Sequence, residues 1–146
     1  LIYNEAVFSI LDDVEDLAHK IKQSDIYHAY LKAKSTMEED VEATNKYQAF
    51  IRKKEKYDEV MRFGNYHPDY FNTMIETRKL KREYEMHPSV VAFRQHETKL
   101  QDLIDEVLVI LSKAISDHIK VEAGNPFFRT DVGGGCSTGG SCQCSS

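Results

Sequence analysis

The sequence predicts an all-α protein, a bundle of about five helices with long antiparallel partners, followed by a flexible Gly/Ser/Cys-rich C-terminal tail. Three observations carry that prediction. Over residues 1–122 the only glycine is Gly64 and the only prolines are Pro68 and Pro88, so little interrupts a helix. Apolar residues in this span recur at spacings of three and four, and nothing reads as the alternation of a strand. From Ala123 to Ser146 the composition changes: the stretch holds all three cysteines and six of the seven glycines, but only two charged residues, Arg129 and Asp131. A segment so poor in apolar groups cannot order itself. The chain therefore divides into a helical bundle domain, 1–122, and a cysteine-containing tail, 123–146.

The first helix is expected from about Ile2 to Lys22, with Val7, Leu11, Val14, Leu17, Ala18 and Ile21 on one stripe. Ser24-Asp25 offers side-chain oxygens to free amides and opens a second helix through Ile26, Tyr30 and Ala33. Another capping signal near Asp40 begins a third, whose apolar face is Tyr47, Phe50, Ile51, Tyr57, Val60 and Met61. Gly64 follows where a left-handed residue closes a helix, and Pro68 stands where a first helical turn tolerates a missing N–H. The fourth helix is expected from Pro68 to Glu85, with Asp69 complementing its positive end. After His87-Pro88-Ser89 the fifth places Phe93, Leu100, Val107 and Ala114 seven apart, with Ile104, Leu111 and His118 each four residues after the last three. It is expected to stop at Gly124-Asn125-Pro126, because glycine accepts the left-handed conformation and proline prevents continuation.

Charge and motifs exclude several functions. The formal charge is −5, and since Arg129 and Asp131 cancel, the excess lies on the body. General nucleic-acid binding, and direct DNA binding with it, is disfavoured. The basic clusters Arg52-Lys53-Lys54 with Lys56, and Arg78-Lys79 with Lys81-Arg82, read as solvated helix faces. The longest clear apolar run, Val107 to Leu111, is far short of the roughly 18 residues that cross a bilayer. With no signal pattern at the start, the expectation is a cytoplasmic protein without membrane insertion. No phosphate-binding glycine loop, paired-histidine metal motif or serine elbow is present, and no catalytic residue is assigned.

Chemistry concentrates in the tail. Cys136, Cys142 and Cys144 form C-x5-C-x-C among glycines, which let thiolates approach a metal or sulfide without side-chain clashes. A structural disulfide fits poorly: the count is odd, the expected compartment is reducing, and a Cys142–Cys144 bridge would close a very small ring. Thiolate ligation of iron–sulfur or zinc fits better. Either centre normally takes four protein ligands and the tail offers three. The fourth would come from a second copy of the chain, another protein, or one of the six histidines of the body. Phe127-Phe128, the last strongly apolar pair, is expected to pin the root of the tail to the bundle or to a partner.

Arg62-Phe63-Gly64-Asn65-Tyr66-His67-Pro68-Asp69-Tyr70, then Gly124-Asn125-Pro126-Phe127-Phe128, then the glycine-rich cysteine terminus together resemble the YlbF/YmcA family of small helical bacterial regulators. The similarity spans essentially the whole chain. It implies a non-enzymatic adaptor subunit, homo- or hetero-oligomeric, that joins YmcA-like and YaaT-like proteins in a cytoplasmic complex. It further implies iron–sulfur clusters, of the four-iron four-sulfur type, ligated by cysteines of more than one subunit, with Cys136, Cys142 and Cys144 as this chain's ligands. The biology so implied is competence, biofilm formation, sporulation and the direction of RNase Y toward particular messenger RNAs. Read physically, Gly64, Pro68, Asp69, Gly124 and Pro126 are structural positions, while Tyr66, His67 and Tyr70 crowd one corner with amphipathic rings suited to protein contact.

Overall fold

A computed structural model describes residues 4–119, 121, 122 and 124. Among these there are five α-helices, one 3₁₀ turn and no strand, as the breaker pattern predicts: α1 (Glu5–Lys22), α2 (Asp25–Glu39), α3 (Val41–Met61), the turn Gly64–Tyr66, α4 (Tyr70–Glu85) and α5 (Pro88–Ile115). Side-chain caps set the first three starts. Asn4 accepts from the Val7 N–H at 3.0 Å, Ser24 from Tyr27 at 3.2 Å, and Asp40 from both Glu42 and Ala43 at 3.0 and 3.1 Å. Gly64 has φ +63°, the left-handed conformation that a side chain would resist.

The helices pair two by two. α3 and α4 form an antiparallel hairpin: Tyr47 lies against Tyr84 and Tyr57 against Tyr70, with ring centroids 5.2 and 6.0 Å apart. Small residues between them allow close approach, and the Thr77 hydroxyl donates to the Thr73 carbonyl at 2.7 Å, so its burial leaves no polar group unmet. α2 and α5 form the second antiparallel pair, with Tyr30 against Phe93 at 5.7 Å. The pairs meet at a junction where the α2–α3 break faces the α4–α5 break: His87 Nδ1 is 3.0 Å from the Ser89 hydroxyl and 3.5 Å from Asp40, and its Nε2 is 3.7 Å from Glu42.

Three expectations are corrected. α4 begins at Tyr70, two residues beyond Pro68, because the Tyr70 N–H closes a turn on the His67 carbonyl and the Asp69 N–H donates to the His67 ring at 3.1 Å. α5 ends at Ile115, well before Gly124. Ser116 is extended, and its hydroxyl accepts from the His118 N–H at 3.2 Å, a local bond that competes with helix continuation. Gly124 is thus not the helix stop, and His118 lies beyond the helix. Finally, the apolar stripe of α1 faces no core: no residue of α1 is buried. Among the described residues the buried apolar side chains are Ala43, Val60 and Val90 alone.

Candidate functional site

Two helices expose rows of apolar side chains. On α1, Phe8, Ile10, Leu11, Val14 and Leu17 are all exposed, and on the distal half of α5 so are Leu108, Ile110, Leu111 and Ile115. The three-and-four spacing that makes a helix amphipathic has produced rows that stay open to solvent over much of their length. Isolated exposed hydrophobes are ordinary, but two helices each presenting a continuous row mark an interaction surface. Leu111, expected at the centre of a buried seam, is 52% exposed.

The corner between α3 and α4 is a second, smaller surface. Tyr66 is 98% exposed and Phe63 is 69% exposed, its ring centroid 5.9 Å from that of His67. Tyr70 behaves differently. It is half-buried, packed between Tyr57 and Phe71, and its hydroxyl hydrogen-bonds Tyr57, the main cause of a raised Tyr57 pKa. The corner therefore brings Phe63 against His67 and leaves Tyr66 open to solvent, while Tyr70 holds the hairpin closed.

At the junction, Asp40 and Glu42 have pKa values below the usual carboxylate range. The Ser89 hydroxyl is the chief cause for Asp40, followed by the Ala43 backbone amide; for Glu42 it is the Lys46 ammonium, 2.7 Å away. These groups fasten one helix pair to the other. They show no vacant coordination geometry: among the described residues no cluster of three or more His, Cys, Asp or Glu is placed to hold a metal ion.

The tail begins in an unexpected place. Gly124 lies beside α5, donating its N–H to Asp105 Oδ1 at 3.0 Å, and Asp105 also accepts from Gln101 Nε2 at 2.8 Å. Sequence reasoning missed Asp105; the available signal was an acid embedded in an apolar helix, next to Ile104. Pro126, Phe127, Phe128, Cys136, Cys142 and Cys144 all lie outside the described residues. The fit of an inorganic centre is thus a question of donor chemistry. Three soft thiolates with glycine neighbours suit iron–sulfur or zinc, and a fourth ligand must come from elsewhere. Among the described residues no helix is long and apolar enough to cross a membrane.

Known proteins match both the sequence and the fold. A family model described as "Control of competence regulator ComK, YlbF/YmcA" matches residues 10–116, ending at the residue that caps α5. The chain is 41% identical over 134 residues to "Regulatory protein YlbF" of Bacillus subtilis (strain 168), covering 90% of each. A chain in the X-ray crystal structure of Bacillus subtilis RicA in complex with RicF superposes with a TM-score of 0.72 at 36% identity, covering 77% of this chain and 98% of that one.

Proposed function

Because the chain belongs to the YlbF/YmcA family, we propose that it is a non-enzymatic regulatory subunit, acting in the control of competence through assembly with a second helical protein of that family. The observation that carries this reading is the pair of uncovered apolar rows on α1 and distal α5. A two-helix-thick chain with three buried apolar side chains among its described residues has surface to spare, and a partner helix is the natural cover. The structural neighbour comes from a complex of two such proteins, which supports the same conclusion.

The tail takes the second part of the task. Cys136, Cys142 and Cys144 supply three thiolates to an iron–sulfur centre, of the four-iron four-sulfur type, completed by a ligand from the partner. When bound, such a centre provides a soft, oxidant-sensitive link between subunits; the chain's own part is to deliver deprotonated sulfur and exclude competing oxygen donors. A YaaT-like third subunit, contact with RNase Y, a cytoplasmic setting, and roles in biofilm formation and sporulation complete the proposal, on the strength of the family resemblance.

The test is co-purification with a RicA-type partner, with anaerobic analysis of iron and sulfide. A stable hetero-complex that loses iron when Cys142 and Cys144 become serine supports the proposal. Stoichiometric zinc in its place would replace iron–sulfur with a structural metal. Failure to form a complex would overturn the adaptor reading.

A further inference from the structure

Asp105 is 1% exposed, yet it sits on a helix otherwise suited to apolar contacts. A carboxylate removed from water is costly unless hydrogen-bond donors replace the solvent. One donor, Gln101 Nε2, is a turn away on the same helix. The other is the backbone N–H of Gly124, nineteen residues on in the chain. The fit at Gly124 is tight: a Cβ there would lie 2.3 Å from Gln101 Nε2 and 2.6 Å from its Cδ. A side chain at this position would push the Gln101 amide aside and so disturb its bond to Asp105.

We propose that Asp105 is a positioning residue for the cysteine tail, a latch that seats the tail root against the middle of α5. This inference rests on the reading that the tail supplies thiolates to a centre shared with a partner. Without the latch the span leading to Cys136 would begin at Ser116, where α5 is capped; with it, the span begins at Gly124. At about 3.5 Å per residue, Cys136 is then confined to within about 40 Å of its anchor instead of about 70 Å. Effective concentration falls as roughly the −3/2 power of tether length, so the shorter span raises it about twofold. The anchor residue Asp105 also stands about one turn before Leu108, so the described start of the tail lies near the apolar row proposed to receive the partner.

Gly124→Pro deletes the N–H and adds a ring that would displace the Gln101 amide, at a position outside every helix. In the full chain, tryptic cleavage at Lys120 should accelerate at least fivefold with helical circular dichroism unchanged, since Lys120 lies between the end of α5 and the latch. In the co-purified complex, the ferrous iron needed with sulfide for half-reconstitution should rise about twofold or more. Gly124→Ala should also accelerate cleavage, and adding Gln101→Ala, which clears space for the new methyl, should return it toward wild type. Wild-type cleavage and iron loading in Gly124→Pro would overturn the latch. A wild-type complex that takes up no iron would overturn the reading of the tail, and cleavage would still decide whether the latch exists.

Discussion

The α3–α4 hairpin and the α1 row use the same helical periodicity to opposite ends. In the hairpin, Ala43, Val60, Thr73 and Thr77 are buried and tyrosine pairs close the seam. In α1 the stripe is half-buried only at its ends, Val7 and Ile21, and is exposed from Leu11 to Leu17. Amphipathicity specifies that a face will be covered, not by what. The hairpin is covered by its own chain; in the proposed reading α1 and distal α5 are covered by a partner. Regulation by assembly would then follow from that asymmetry, because a surface left open in one molecule is one whose covering depends on a second molecule's concentration.

Breaking the covered side should have the largest effect on the isolated chain. Val90 is 1% exposed where α5 starts beside the junction, so Val90→Asp should cost more than about 3 kcal/mol by burying an unpaired charge. Loss of the cooperative thermal transition is the expected readout. Ala43 is 2% exposed on the α3 seam; Ala43→Leu overpacks it and should cost about 1–3 kcal/mol in urea denaturation. Asp40→Ala removes the two-amide cap of α3 and should lower the melting temperature by less than either core substitution.

Acid should act at the same junction. The folded-state pKa of Asp40 lies below its ordinary value of 3.8, so its contribution is present above that value and is lost as pH falls through the lower, folded one. The melting temperature should fall on acidification, less steeply in Asp40→Ala. An equal slope in both proteins would remove Asp40 from the account.

The smallest effect on the chain alone is expected on the open side, and it sharpens the contrast most. Leu111 is 52% exposed, so Leu111→Asp should change stability by less than about 0.5 kcal/mol, yet weaken association with the partner by at least about tenfold, as loss of an interface anchor does. A large drop in the melting point of the isolated chain would show that α5 is covered internally after all.

Much of this fold was legible because its signals are local. Ser24 and Asp40 cap helices in the way short polar side chains do, and Gly64 takes the left-handed conformation that its place after α3 requires. What periodicity could not decide was which stripes meet each other, since that depends on contacts between distant residues. The end of α5 was misplaced because Ser116 stops the helix through a weak local bond, while Gly124-Asn125-Pro126 offered a louder signal farther along the chain, where Gly124 donates to Asp105. Of the corner, the exposure of Tyr66 was legible, whereas His67 is half-buried; the bonding of Asp105 was not legible, because one of its donors is a backbone amide nineteen residues away.

The central claim is that α1 and the distal half of α5 are covered by a family partner. Amide hydrogen exchange, compared between the isolated chain and its complex with a RicA-type protein, tests it most directly. The account predicts new protection over Phe8–Leu17 and Leu108–Ile115, with little change across the α3–α4 seam. Protection confined to the corner around Phe63 and Tyr66, or none at all, would contradict it.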